Sequence, residues 1–385
     1  MLVAALLILV AGSLAFCVLT VAAVAQFCRT DTKAGGKAAG PNPPPISVLK
    51  PLAGVDDGLE ENLRTFFGQE YGEFEILFAV RNASDPAVAV VERLRAAYPL
   101  VPSRLIVTGE PPYANAKVYS LDRMLASARH DLLVMADSDV RVDPHLLAAM
   151  AAEFSTPKVG VVTCPYRAAP GRSFWSTLEA IGLNTDFIGG VLVARMLEGM
   201  KFALGPTIAA RRGLLAEIGG FDVLKNYLAE DFILGNLAAR RGYQVVLSSY
   251  VIEHRIGSQP LAANWKHRLR WNRSTRRSRP WGYVGQVFMY PLPLVLLVWA
   301  VRADAWPLVL VAAAMRAVSA FATGGLVLHD PLLRRGWWLV PLQDIMSFAV
   351  WLASFFGNTI IWRGRRYHLS RDGTFTACAP RAVRR

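Results

Sequence analysis

The first charged side chain in this sequence is Arg29. The apolar run before it, Leu2–Cys28, exceeds the roughly 20 residues that carry a helix across a bilayer. Ala23-Val24-Ala25 resembles a signal-cleavage site, but no basic residue precedes the run, and it is longer than a signal core. A retained membrane helix is therefore expected over residues 1–28. Arg29, Lys33 and Lys37 follow it, which places its C-terminal end in the cytoplasm by the excess of positive charge there. A Gly/Pro-rich linker completes residues 29–45.

The rest divides into a globular domain over 46–283, membrane segments over 284–361 and a basic tail over 362–385. The apolar stretches are Val284–Val301, Trp306–Leu328 and Trp337–Ile361. The tail carries Arg363, Arg365, Arg366, Arg371, Arg381, Arg384 and Arg385, so it too is expected in the cytoplasm. Three full crossings would put it outside. Val284–Val301, which contains Pro291 and Pro293, is expected to be re-entrant or interfacial. Arg316, in the middle of the next stretch, must face protein or a polar cavity rather than lipid.

Hydrophobic residues make up 53% of the 385, which fits one α/β domain with several membrane segments. The net charge of +13 suits an anionic membrane surface or an anionic substrate. Nucleic acid is not expected, because no zinc-finger spacing or RNA-binding motif is present. The cysteines, Cys17, Cys28, Cys164 and Cys378, form no metal-ligand spacing.

Within the globular part, apolar runs of strand length alternate with helical patterns. The expected strands are Ile46–Leu49, Phe74–Val80, Leu105–Val107, Leu132–Ala136, Val159–Thr163 and Val245–Tyr250. The expected helices are Gly58–Phe67, Ala87–Tyr98, Lys117–Ala128 and Pro144–Phe154. Continuous apolar strands between helices predict a mostly parallel, Rossmann-like sheet covered on both faces, with ligands at the carboxyl ends of its strands. GxGxxG and Walker A sequences are absent, which removes support for a dinucleotide dehydrogenase or a P-loop ATPase.

Chemistry concentrates at three places. Leu132–Ala136 runs into Asp137-Ser138-Asp139. Two carboxylates at a strand end suit Mg²⁺ or Mn²⁺ bridging a diphosphate, and a helix cap or turn is the plain alternative. Glu230-Asp231 opens a helical run; one of the pair is a candidate general base, or both are acids placed favourably in a first turn. From Lys266 to Arg279 lie seven Lys or Arg residues and no acid. Some of them suit a diphosphate, whereas Arg276, Arg277 and Arg279 suit an anionic membrane surface. Lys50 and Asp85 follow strands on the ligand-binding edge. Asn115 and Lys117 open a helix, where phosphate is favoured.

In order and spacing these residues resemble the family-2 and family-21 glycosyltransferases of GT-A type, and most closely the ceramide glucosyltransferase group. That group has an aspartate after the second strand, an acid pair, an ED pair and a (Q/R)xxRW box, matched here by Asp85, Asp137 with Asp139, Glu230-Asp231, and the box ending Arg270-Trp271. Ser47–Leu52, Asp85-Pro86-Ala87, Val90–Leu94, Ala128–Val142 and Ile218–Phe221 resemble its bacterial branch, which contains the hopanoid-biosynthesis glycosyltransferase.

The resemblance implies a GT-A domain with flanking transmembrane helices, in a multi-pass protein of the bacterial inner membrane with its catalytic domain cytoplasmic. It implies one sugar transferred from UDP-GlcNAc or UDP-glucose to a bacteriohopanetetrol-type or ceramide-type hydroxyl, by inverting displacement. Asp231, Arg270 and Trp271 would then be catalytic. Lys50, Asp85, Asn115, Lys117, Asp137, Glu230 and His267 would bind substrate, and Asp137 with Asp139 would hold Mg²⁺ or Mn²⁺. His267 departs from the Gln or Arg that opens the box, and Lys266 or Arg268 is then expected to replace the contact. Phe174–Leu204 is expected as an acceptor-facing, interfacial or core helix. A processive polysaccharide synthase would need more membrane helices. A non-catalytic scaffold on anionic lipid would bind no nucleotide sugar.

Overall fold

The computed structural model describes residues 1–34, 43–362 and 364–378. Residues 35–42 of the expected linker, and Arg363, Arg381, Arg384 and Arg385 of the tail, lie outside the described residues.

The central sheet is built from β1 (Ile46–Pro51), β2 (Phe74–Val80), β3 (Ser103–Val107), β4 (Leu132–Ala136), β6 (Val159–Thr163), β8 (Thr207–Arg211) and β9 (Gln244–Leu247), in the order β3-β2-β1-β4-β8-β6-β9. Every pairing is parallel except those of β8, which runs antiparallel to both β4 and β6. Successive strand residues point to opposite faces, so each strand feeds two cores. Val48, Ile76, Phe78 and Val134 pack with Leu63, Phe66 and Leu94 on one face. Leu49, Leu77, Ala79 and Leu133 pack with Val118, Leu121 and Met124 on the other. This double burial explains why β1, β2 and β4 are continuous apolar runs.

The covering helices are Leu59–Phe67, Ala87–Ala97, Ala116–Ser127 and Leu146–Glu153. A second sheet joins β5 (Val140–Arg141), β7 (Tyr166–Pro170) and β10 (Ile252–Ile256) in the order β5-β10-β7. A third is antiparallel: β11 (Thr359–Trp362), β12 (Arg365–Leu369) and β13 (Phe375–Ala377).

Among the described residues, Leu2–Thr30, Phe174–Glu198 and Ala303–Val327 are long and apolar enough to cross a membrane. Pro280–Met289 and Pro291–Val301 form a bent pair, turned by 62°, at a proline that cannot supply the next helical hydrogen bond. The Trp337–Ile361 stretch is not one long helix. It comprises a turn at Trp337–Leu339, a 15-residue helix Val340–Ser354, and the start of β11. Fifteen residues rise only about 22 Å, short of the roughly 30 Å bilayer core. Phe174–Glu198 is continuous through a π-helical turn at Leu183–Phe187.

Arg316 is buried, as its place in an apolar segment required. It donates to both carboxylate oxygens of Asp344 (2.9 and 3.0 Å), to Thr185 Oγ1 (3.0 Å) and to Asp186. Ser347 in turn donates to Asp186 Oδ2 (3.2 Å) and accepts from Arg268 Nη2 (3.0 Å).

Candidate active site

The two acids after β4 stand at the carboxyl end of the parallel strands, the edge where such sheets bind ligands. Asp137 N donates to Pro206 O (3.0 Å), in the turn leading into the reversed strand β8. From beneath, the fully buried Lys50 at the end of β1 donates to the Asp137 carbonyl (2.5 Å). Its ammonium lies 3.8 Å from the centre of the Phe66 ring. Burial pulls Lys50 down to about 7, against the opposing attraction of Asp137 and Asp139.

Lys117, in the first turn of the Ala116–Ser127 helix, links the two acid pairs. Its Nζ lies 2.7 Å from Asp137 Oδ1 and 3.1 Å from Glu230 Oε1. Burial would lower its pKa, but these acids outweigh it and raise it. Asn115 caps that helix, accepting from Val118 N (3.1 Å) and donating to Tyr227 O (2.8 Å) and Glu230 Oε2 (3.3 Å). Asp231 follows in the first turn of Glu230–Arg240. Burial, with Glu230 beside it, pushes its carboxyl up to about 7. Burial likewise raises Asp137.

Asp139 behaves oppositely. Burial would raise it, but His254 on β10, with Nε2 3.3 Å from Asp139 Oδ2, holds it below its ordinary value. Asp139 Oδ1 and His254 Nδ1 are buried without a hydrogen-bond partner among the described residues. A buried carboxylate oxygen left open beside Asp137 fits a hard divalent cation. Among the described residues no group of three His, Cys, Asp or Glu side chains forms a ready cage, so part of such an ion's shell would come from substrate oxygens.

Asp85 accepts from Gly54 N (3.1 Å) and Ala87 N (2.9 Å), fastening the loop after β1 to the start of the Ala87–Ala97 helix. The basic helix Leu261–Ser278 supplies the opposite wall. His267 Nδ1 lies 2.8 Å from Glu179 Oε1, and Glu179 also accepts from Asn264 Nδ2 (2.5 Å). Trp271 lies between two imidazoles, its ring 5.4 Å from His267 and stacked 6.3 Å from His254. The Arg270 guanidinium lies 5.9 Å from the centre of the Trp362 ring.

One cavity of about 1280 Å³ unites these groups. Asp85, Lys117, Asp137, Asp139, Glu230, Asp231, His267, Arg270 and Trp271 all line it. Lys50 and Asn115 are fully buried and support that wall from behind. Neither Arg268 nor Lys266 is on the wall, and Arg268 instead points to Ser347.

Arg276, Arg277 and Arg279, expected to suit an anionic membrane surface, also make contacts within the protein. Arg276 donates to Phe355 O (2.7 Å), Gly357 O (3.0 Å) and Asn358 Oδ1 (2.7 Å). Arg277 shares Asn358 Oδ1 (2.5 Å), and Arg279 pairs with Glu198. Arg276 thereby satisfies carbonyls left open past the end of the Val340–Ser354 helix.

Sequence reasoning missed His254 and Glu179. A lone histidine in the alternating strand Ile252–Ile256 and a lone acid in an apolar helix carry no local signal; only folding brings them to Asp139 and His267.

A family profile described as Glycosyl transferase family 21 matches residues 7–375. Two Caenorhabditis elegans proteins, ceramide glucosyltransferase 1 and ceramide glucosyltransferase 3, are 31% and 30% identical over 212 and 208 residues. Each match covers 54% of this chain and 45% of the relative, so the chain spans about half the length of the curated relatives it matches. Among solved structures, a Pyrobaculum calidifontis mannosyltransferase in complex with GDP-Man and Mn²⁺ is similar at TM-score 0.50 and 18% identity, over 90% of this chain and 99% of that one. The mixed α/β architecture is that of the GT-A glycosyltransferases, with apolar helices added. By the match along nearly its whole length, the chain belongs to glycosyl transferase family 21.

Proposed function

We propose that this protein transfers a single sugar from a UDP-sugar, UDP-GlcNAc or UDP-glucose, to the hydroxyl of a membrane lipid at the cytoplasmic face of a bacterial inner membrane. The acceptor is of bacteriohopanetetrol or ceramide type. One observation carries the reading. The cavity holding Asp137, Asp139 and Asp231 is also lined by Phe16, Phe187, Val191 and Met289, from the N-terminal helix, the Phe174–Glu198 helix and the bent pair. Charged chemistry and apolar, membrane-length helices thus share one space. Relatives named for ceramide glucosylation support a lipid acceptor.

In the proposed reaction the lipid hydroxyl gives its proton to Asp231 as its oxygen bonds to the anomeric carbon, and the bond from that carbon to the diphosphate breaks. A carboxyl near 7 is a suitable base at neutral pH. Arg270 stabilises the charge that develops on the leaving diphosphate. Lys117 and Asp85 seat the donor, while Lys50 and Asn115 hold the loops that present it. His267, oriented by Glu179, and Trp271 shape the acceptor end. Mg²⁺ or Mn²⁺ held by Asp137 and Asp139 would neutralise diphosphate charge when bound; the similar mannosyltransferase structure, which contains Mn²⁺, supports this choice.

The test is mass spectrometry of lipid extracts incubated with the purified protein, Mn²⁺ and each UDP-sugar. One added hexose or N-acetylhexosamine per lipid is expected, and it should disappear with Asp231→Asn. A polymeric product, or no lipid product with either donor, would refute the reading.

A further inference from the structure

The small sheet β11–β13 lies against the site. Phe375 N donates to Asn226 O (2.8 Å) and Leu228 N to Gly373 O (3.4 Å), just ahead of Glu230. Across an antiparallel pair, directly opposed residues share a face, and alternate residues along a strand stay on it. The registers Trp362↔Arg365, Ile360↔Tyr367 and Leu369↔Phe375 therefore place Ile360, Trp362, Arg365, Tyr367, Leu369 and Phe375 together. This is the inward face, because Ile360, Tyr367, Leu369 and Phe375 are buried and pack with Ala114 and Leu228. Arg366 and His368 fall on the outer face.

Arg365 is the one cation on that inward face among the described residues, and it is paired with no carboxylate among them. It is nevertheless solvent-accessible, because it opens into the same cavity as Asp137 and Arg270. Its cross-strand neighbour Trp362 is the ring against which Arg270 lies. Arg270, Trp362 and Arg365 thus all line the same cavity. An unpaired arginine held inward by an otherwise apolar face suits an anion with several oxygens.

We infer that Arg365 is a donor-binding residue that contacts the diphosphate of the nucleotide sugar alongside Arg270, with the β11–β13 sheet forming that wall of the site. The inference rests on the glycosyl-transfer reading above. The experiment is calorimetry of UDP binding to the full chain in detergent with MnCl₂, comparing wild type with R365A, R365K and the outer-face control R366A.

Loss of one charged hydrogen-bonding contact should weaken UDP about tenfold in R365A. R365K should recover part of that loss, and R366A should match wild type. Equal UDP affinity in R365A and wild type would overturn the assignment. So would an equal loss in R366A. A loss in R365A and R365K alike, with lowered melting temperatures in both, would place the effect in packing of the sheet and also overturn it. If the wild-type chain does not bind UDP, the glycosyl-transfer reading itself falls.

Discussion

Asp231 occupies its place because Gly205 leaves room for it. A β-carbon built on Gly205 would lie 2.7 Å from Asp231 Oδ2, closer than nonbonded atoms tolerate. Gly205→Ala should displace the carboxylate and lower turnover roughly hundredfold, the scale of a 1 Å misplacement, while thermal unfolding stays near wild type. Single-turnover kinetics beside a melting curve checks this. As the proposed base, Asp231 would also set a pH limit. Its carboxyl, pushed up to about 7, must be unprotonated to act, so the base is lost as pH falls through about 7. Lys50, pulled down to about 7, loses its charge as pH rises through the same window. Turnover should peak near neutrality. Asp231→Asn should lower it by about 10²–10⁴ and remove the rising limb of the profile, measured at saturating donor.

At the scale of elements, the Leu261–Ser278 helix serves two structures at once. Its middle presents Arg270 and Trp271 to the cavity, and its end holds the segment after Val340–Ser354. Replacing Arg276 by alanine should destabilise the fold by about 1–3 kcal/mol through carbonyls left unsatisfied, seen as a lower melting temperature in detergent. Binding to anionic vesicles should change little. Doubly buried strands were legible: the apolar runs ending at Val80, Ala136 and Thr163 became β2, β4 and β6. Strand β8 was not, because Thr207-Ile208-Ala209-Ala210-Arg211 has two alanines and little strand preference; its burial between β4 and β6 comes from tertiary context. Trp337–Ile361 read as one long segment because its apolar composition continues through changes of backbone direction. Gly357, with φ of +83°, turns the chain from helix toward β11, and such a reversal leaves no mark on hydropathy.

Across the whole molecule, the buried Arg316 network joins three separate helical segments and reaches Arg268, three residues before Trp271. Arg316→Met would leave Asp344 and Asp186 without their cation and should cost about 3–5 kcal/mol. The double variant with Asp344→Asn should recover part of that loss in thermal unfolding. The acids of the site were readable because the members of each pair lie within two residues of each other in sequence. What organises them was not: Lys117 bridges Asp137 and Glu230, and His254 reaches Asp139, over separations only the fold closes. The N-terminal helix shows the same remoteness on another axis. Its Val10 clusters with Leu292, Val295 and Val298, partners about 280 residues later in the chain. At about 5–20 residues per second of synthesis, a ribosome needs roughly 15–60 s to deliver them. That end of the first helix therefore waits for these partners, and the lack of any charged side chain before Arg29 makes such a wait tolerable in an apolar medium.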